Sequence, residues 1–345
     1  MNSFRSSEKK HLIITGNRGS GKTTLLNSIA CADIRTRAEK GKAVYLYDNG
    51  TGKETVIGTF IPDSTGAENR MSICKEGFLG LGISALKRCI ESENEFAVID
   101  EIGYLETQCD KYCSELQKLF DLKRVIAVVR KQEIPFLKAL AEREDVFVID
   151  LDNPFGNVGL VIMASGEGKR FGGNKLIADF KGQPMIAHIL KATENIFSKR
   201  VVVTRHESVA KICYEYNIDV IVHNQPYRND TIRTGMQIMS DTDSCAFCPS
   251  DQPLLSAETL QSLVISSASQ KENCFRPRYN ETVGAPIIFP KKLYGELMTL
   301  PQGKGGNYII KKHPEILKYI SIRDEYELMD VDTREDIMKL QEYGC

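Results

Sequence analysis

The sequence predicts an α/β protein of two domains, each on a mainly parallel sheet, and three observations predict it. Strand and helix signals alternate along the whole chain, the pattern of layered α/β folds. Two glycine loops, at residues 16–23 and 164–172, each follow an apolar strand and open a helix, so each begins a fresh β–loop–α unit. Between them, residues 151–157 hold Asn153, Pro154, Gly156 and Asn157 without periodicity, which marks a linker. At 345 residues the chain is long enough for two full cores. The expected division is a flexible arm over 1–9, a first domain over 10–150, the linker over 151–157 and a second domain over 158–345.

Taken in order, residues 11–15 form the strand that enters the first loop, and residues 22–38 read as an amphipathic helix. Strands 43–47 and 55–60 flank Asp48-Asn49-Gly50-Thr51-Gly52, a strong hairpin turn. A helix over 79–93, a strand over 95–100, a helix over 111–120 and a strand over 124–129 follow. A short helix after Pro135 and a strand over 146–150 close the first half. The second half opens on the strand 158–163. The arm is expected to be disordered, because residues 1–10 are polar and lack the apolar core of a signal peptide.

Composition narrows the partners. Apolar content of 42% and charged content of 26% are those of an ordinary globular protein. A net charge of −1 lacks the footprint of a general nucleic-acid binder. The longest apolar runs, 158–164 and 125–129, fall far short of the ~18 residues that span a bilayer. No nucleic-acid or membrane partner is expected, and the expected location is cytoplasmic. Cys245 and Cys248 have metal-like spacing but fall in an apolar strand, where their thiols would face opposite sides. The five histidines are scattered, so the ten cysteines read as structural thiols in a reducing compartment.

The first loop, Gly16-Asn17-Arg18-Gly19-Ser20-Gly21-Lys22-Thr23, fits the pattern that cradles a nucleoside triphosphate. Gly16, Gly19, Ser20, Gly21, Lys22, Thr23 and Thr24 are its expected nucleotide contacts. Lys22 would reach the β/γ-phosphates, and the Thr23 hydroxyl would take a Mg²⁺ position. Residues 96–101 are an apolar strand ending in two acids: Asp100 is placed to hold the Mg²⁺ shell and Glu101 to orient or deprotonate the attacking water. The string Asp100-Glu101-Ile102-Gly103-Tyr104-Leu105-Glu106 resembles the signature of the nucleoside-triphosphatase family typified by thermophile NTPases, over roughly residues 9–150. That resemblance implies a P-loop NTPase sheet and Mg²⁺-dependent hydrolysis of ATP, GTP or related triphosphates. The family carries a Thr/Glu/Arg-rich segment followed by G-x-R-x-G-F. Residues 62–78 supply only Arg70 and Glu76-Gly77-Phe78, so Arg18, Arg70 and Arg130 all stand as the arginine that neutralises transition-state charge. The domain either hydrolyses nucleotide or acts as a switch.

The second loop has glycines where backbone must pass close to a nucleotide, and its cations Arg170 and Lys175 suit a triphosphate losing pyrophosphate. The string from Met163 to Leu176 resembles the opening motif of the MobA-like nucleotidyltransferases. Further matches follow in order at Gly182-Gln183-Pro184-Met185-Ile186, Asn224-Gln225-Pro226-Tyr227 with Thr231 and Gly235, Ser250-Asp251-Gln252-Pro253-Leu254, Gly284-Ala285-Pro286 and Val331-Asp332-Thr333. The resemblance spans 158–343 and implies a Rossmann-like, GT-A-like sheet that transfers a nucleotidyl group from CTP or GTP to a phosphate acceptor. The acceptor it implies is molybdopterin, with a molybdoenzyme as the recipient of the cofactor. Ala164, Ser165, Gly166, Gly168, Lys175, Asn224 and Thr231 are its expected nucleotide contacts. Arg170, Lys175 and Asp251 are its catalytic groups, and Asp251 holds the metal. Asp332 is a second metal carboxylate or the cap of the helix after it. In the family the third motif residue is Gly for guanylyl and Ala for cytidylyl transfer; Ser165, with its Cβ, is expected to disfavour a purine. The late string Gly303-Lys304-Gly305-Gly306-Asn307 puts Lys304 where the family has an acid and Asn307 where it has a base, which opens the acceptor's identity. Two alternatives stand beside this reading. One is transfer to a sugar- or alcohol-phosphate, and the other is a transferase whose first domain is a non-catalytic, MobB-like GTP-binding adaptor.

Overall fold

The computed structural model describes residues 1–39, 41–61 and 70–343. The chain divides into two compact units: Glu8–Pro154 together with Met1, and Phe155–Cys345 together with Asn2–Ser7.

The first unit holds strands β1 (His11–Thr15), β2 (Ile34–Glu39), β3 (Ala43–Asp48), β4 (Lys53–Ile61), β5 (Arg70–Ile73), β6 (Phe96–Ile102), β7 (Arg124–Val129) and β8 (Val146–Asp150). They form one sheet in the order β5-β4-β3-β2-β6-β7-β1-β8. From β2 through β6, β7 and β1 to β8 the pairing is parallel, while β2 to β5 pair antiparallel. The parallel strands are near-continuous apolar runs because helices cover both faces, and β7 is buried from Val125 to Val129. The helix Asp110–Leu122 buries Tyr112, Leu116, Leu119 and Phe120 at i, i+4, i+7, i+8 spacing. Asp48 makes the β3–β4 turn by accepting from the Gly50 amide and the Thr51 hydroxyl.

Two expectations fail here. The helix that opens at Lys22 ends at Ile29, and Ile34–Glu39 is strand β2. Ala30 is already extended, and Ile34, Thr36 and Ala38 alternate with Arg35, Arg37 and Glu39, a period-two pattern that pairs with β3 from Ile34↔Asp48 to Glu39↔Ala43. The supposed flexible arm is also structured, since Asn2–Ser6 is a short helix belonging to the second unit. Phe4 is buried, Ser3 Oγ donates to the Ser262 carbonyl and Asn2 Nδ2 to that of Ser321.

Between β1 and its neighbours lies a fully buried histidine. His11 Nδ1 accepts from the Val125 amide at 3.1 Å, so the ring carries its proton on Nε2, 3.2 Å from Asp145 Oδ2. Burial pushes its pKa down to about 4, against the opposing pull of Asp145. The unfolded chain takes up this proton below its ordinary pKa near 6.5, while the folded chain waits until about 4. Stability is therefore expected to fall as pH drops through that window, by on the order of 3 kcal/mol. Thermal unfolding of wild type and His11→Gln from pH 7 to 4 checks this. The wild-type midpoint should fall more steeply, and parallel curves would disprove it.

The second unit holds β9 (Val158–Ala164), β10 (Asp179–Phe180), β11 (Gln183–Pro184), β12 (Lys199–Thr204), β13 (Asp219–Val222), β14 (Ser244–Pro249), β15 (Cys274–Tyr279), β16 (Thr282–Val283), β17 (Ile287–Pro290) and β18 (Leu317–Ser321). The main sheet runs β13-β12-β9-β14-β17-β15-β16, with β18 on β15 and a separate β10-β11 hairpin. β13, β12, β9 and β14 are parallel, and β17 turns antiparallel against β14. Each face of the sheet carries its own core. Leu160, Ile162, Ala246 and Cys248 pack on one side, and Val161, Cys245 and Phe247 on the other. Cys245 and Cys248 thus face opposite ways, and burial pushes both thiols up. Both are free.

Candidate functional site

In the first unit, β1 delivers the chain into a loop whose Gly16, Gly19 and Gly21 have φ of 143°, 81° and 90°. These values disfavour any side chain, and a Cβ on Gly16 would stand 2.7 Å from Ser20 Oγ. The helix Lys22–Ile29 starts immediately after. Lys22 Nζ donates to the carbonyls of Gly16 (2.8 Å) and Asn17 (2.6 Å) and lies 3.5 Å from Ser20 Oγ. Thr23 Oγ1 donates to Asp100 Oδ1 at 3.0 Å, and Asp100 is only 4% exposed at the end of β6.

Glu101 sits where the β6–β7 register slips, with φ of 94°, a strained value for a residue with a side chain. Its carboxylate is ion-paired with the Arg130 guanidinium. Burial raises its pKa, against the lowering by Arg130. Gly103 lets the Arg130 side chain lie close beside them: a Cβ there would stand 2.6 Å from Arg130 Cδ and displace it. Glu106 is buried, accepting from the Gly103 amide (2.8 Å) and from Thr36 Oγ1 (3.2 Å), and burial raises its pKa. A cleft of about 680 Å³ is bounded by Gly16, Gly19, Gly21, Lys22, Thr23, Thr24, Glu101 and Arg130. Ser20 and Asp100 adjoin it through Lys22 and Thr23.

Of the three candidate arginines, Arg130 reaches Glu101, Arg18 is exposed on the loop and borders the same cleft, and the Arg70 side chain lies outside the described residues, as do residues 62–69. Arg35 went unforeseen. It comes from β2, where the sequence predicts helix, and its Nε stands 3.2 Å from Asp100 Oδ2 without hydrogen-bond geometry. The Arg35-Thr36-Arg37-Ala38-Glu39 run, rich in Thr, Arg and Glu, was the available signal.

In the second unit, β9 ends at Ala164, which lies fully buried beneath the loop with its carbonyl accepting from Thr204 Oγ1. Gly168 has φ of 60°, and a Cβ there would meet the Gly173 carbonyl at 2.3 Å. The loop closes on Lys175, 8% exposed, whose Nζ donates to Asp251 Oδ2 (2.7 Å), Asp332 Oδ1 (3.1 Å) and the Val331 carbonyl (2.6 Å). Burial pulls the Lys175 pKa down, but Asp251 and Asp332 outweigh it and the net shift is upward. Arg170 pairs with the other Asp332 oxygen at 2.8 Å. Asp332 does not cap the following helix: Thr333 does, in a reciprocal pair with Asp336. Ser165, Gly166, Gly168, Arg170, Lys175, Thr231, Asp251 and Asp332 bound a cleft of about 540 Å³.

Asn224 is not among the residues that bound this cleft and is exposed. Its neighbours explain why: the Gln225 amide donates to His223 Nδ1, which turns the histidine inward, its Nε2 2.8 Å from Ser165 Oγ. Arg205 and Arg228, which lie in none of the sequence motifs, also bound the cleft, as does Tyr227 of the motif at 224–227. Arg205 follows the carboxyl end of β12, where α/β sheets place ligands, and that position was the signal for it. A second cavity of about 290 Å³ shares Met163 and Arg228 with the first. Arg276, Asn307, Gln252 and Asp330 supply its polar groups, and Lys304 is not among its residues. Arg276 donates to Asn307 Oδ1, Gln252 Oε1 is buried with no partner, and burial raises the Asp330 pKa, as does nearby Asp251.

Two such clefts define a chain that handles nucleotides twice. Residues 11–155 match the family model described as NTPase, and residues 160–316 match the one described as MobA-like NTP transferase domain. The chain is a fusion of those two domains, a nucleotidyltransferase joined to a nucleoside-triphosphatase. Among its relatives, nucleoside-triphosphatase THEP1 of Thermotoga sp. (strain RQ2) is 26% identical over 150 residues, covering 41% of this chain and 86% of that protein. The bifunctional protein GlmU of Cupriavidus necator is 31% identical over 120 residues, covering 33% of this chain and 26% of that protein. A solved structure of a nucleotidyl transferase from Methanothermobacter thermautotroptrophicus aligns over 54% of this chain and 96% of its own, with 16% identity and a TM-score of 0.47. Among the described residues no helix is long and apolar enough to cross a membrane.

Proposed function

We propose that the first domain hydrolyses nucleoside triphosphates and that the second transfers a nucleotidyl group from CTP, in preference to GTP, to the phosphate of molybdopterin or a similar small acceptor, releasing pyrophosphate. The supporting observation is the pair of cavities that share Met163 and Arg228. One is walled by the glycine loop and its cations. The other is smaller, with walls split about evenly between polar and apolar surface and with the Arg276 and Arg228 guanidinium groups among them, which suits a compact polar ring system with a phosphate tail. An acceptor in the second cavity would present a phosphate oxygen to the α-phosphorus of a nucleotide in the first. One O–P bond forms, the α–β anhydride bond breaks, and pyrophosphate leaves with the electron pair. Arg170 and Lys175 would offset the charge that develops.

In the first domain, Lys22 would neutralise the β/γ-phosphates, Glu101 would orient the water, and Arg130 is the arginine that its pairing with Glu101 favours. Among the described residues, no group of three or more His, Cys, Asp or Glu side chains forms a metal cage. The all-oxygen sets Thr23 with Asp100, and Asp251 with Asp332, fit Mg²⁺, which is usually held by one or two carboxylates and substrate phosphates. Bound there, Mg²⁺ would supply Lewis-acid charge to the triphosphate oxygens. A cytoplasmic location fits the free thiols, and a molybdoenzyme is the proposed recipient of the product.

Base choice follows from Ser165. Its Oγ donates to the Val203 carbonyl (3.2 Å) and accepts from His223 Nε2, so its Cβ is held in the cleft wall. That narrowing should disfavour a purine by roughly 10–200-fold. The test is turnover with each triphosphate, with and without molybdopterin, following phosphate and pyrophosphate separately. Phosphate should appear without acceptor, and pyrophosphate only with it and fastest from CTP. A clear preference for GTP would reverse the assignment of the base. Pyrophosphate release with a sugar phosphate but not with molybdopterin would reassign the acceptor.

A further inference from the structure

We infer that Asp152 is a positioning residue for the phosphate loop, so that the segment expected to be a passive linker belongs to the first nucleotide site. The inference rests on the reading of that site as a triphosphate site. In such loops the backbone amides are the anion's donors. Here the Asn17 amide is already committed, donating to both carboxylate oxygens of Asp152 at 3.0 and 2.9 Å.

Asp152 is itself held on every side. The Leu151 amide donates to the Thr15 carbonyl (2.9 Å), which ties the segment to the end of β1. The Asp152 amide donates to Asp150 Oδ1 (3.1 Å), and the Asn153 amide to the Asp150 carbonyl (3.1 Å). Lys131, just past β7, bridges Asp150 (2.7 Å) and Asp152 (3.2 Å). The Asn17 amide, and then Lys131, hold the Asp152 carboxyl below its usual range. Approach to the loop is close, since a Cβ on Gly16 would stand 3.4 Å from Asp152 Oδ1. The peptide fixed in this way carries two loads. It orients the Gly16 carbonyl, on which Lys22 Nζ rests, and it sets the first turn of the loop, from which the Asn17 carbonyl also meets that ammonium.

Two effects of Asp152 on a bound triphosphate oppose each other. Its negative charge repels phosphate, while its hydrogen bonds preorganise the loop and Lys22. Lys131 offsets the charge, so preorganisation should win. Asp152→Asn and Asp152→Ala in the full chain separate the two, because asparagine keeps an acceptor oxygen without charge and alanine keeps neither. Binding of a methylanthraniloyl nucleoside triphosphate with Mg²⁺ should weaken about tenfold or more in Asp152→Ala and stay within about threefold of wild type in Asp152→Asn, as loss of one charge-assisted hydrogen bond predicts. Amide exchange at Asn17 should be slow in wild type and fast in Asp152→Ala. Asp152→Ser, with a shorter acceptor, should fall between them and decides the case if the alanine variant does not fold. Unchanged or tighter binding in the alanine variant, or equal shifts in both variants, would overturn the inference. Probe binding that survives Lys22→Ala would overturn the triphosphate reading instead.

Discussion

Lys22→Ala is expected to abolish phosphate release by the first domain while leaving pyrophosphate release by the second intact. Lys22 Nζ rests on the carbonyls of Gly16 and Asn17 at the mouth of the helix Lys22–Ile29, so the ammonium stands where the helix terminus also concentrates positive potential. A triphosphate losing its terminal phosphoryl group builds charge at that point, and no other lysine of the loop can replace this one. Removing a donor aimed at developing charge costs on the order of 10²–10³ in kcat. The fold should not suffer, because Lys22 is half-exposed and, among the described residues, bonds only its own loop. Phosphate and pyrophosphate should be measured separately on one preparation, with thermal unfolding as a control. Joint loss of both activities in a folded protein would contradict two independent sites.

The groups that could be read from the sequence are those whose chemistry and spacing are local. Gly16, Gly19, Gly21, Lys22 and Thr23 lie within eight residues and need only a preceding strand and a following helix to converge. Lys175, Asp251 and Asp332 are far apart in sequence, yet each falls in a quoted motif, and they meet at one ammonium. Groups set by the partner strand could not be read this way. Arg130 faces Glu101 because β7 lies beside β6 and Gly103 leaves room for it, which no spacing rule contains. Arg35 belongs to β2: the helix that the sequence predicts over 22–38 covers five residues of that strand, and the ladder with β3 resolves the ambiguity. Asn224 failed for a finer reason. The side chain of this turn that reaches the cleft wall is that of His223, one residue earlier, which meets Ser165 and does not itself border the cleft.

Asp251→Asn is expected to remove nucleotidyl transfer, with a loss on the order of 10²–10³-fold or more. Asp251 follows the carboxyl end of β14, and its Oδ2 accepts from Lys175 at 2.7 Å while its side chain borders the larger cleft. Two roles are open to that carboxylate: holding a metal on the triphosphate, or merely fixing Lys175. The Mg²⁺ dependence tells them apart. If Asp251 served only to fix the ammonium, transfer would fall with the Mg²⁺ concentration for half-maximal rate unchanged. As a metal holder, Asp251→Asn should raise that concentration or abolish turnover at any concentration. Asp332→Asn should shift it in the same direction but less far, because Asp332 is already shared between Lys175 and Arg170. Neither should unfold the domain, since the Val331 carbonyl and the remaining carboxylate still partner the buried ammonium. Full transfer activity in Asp251→Asn would take that residue out of the metal site and leave Asp332 as the carboxylate to test.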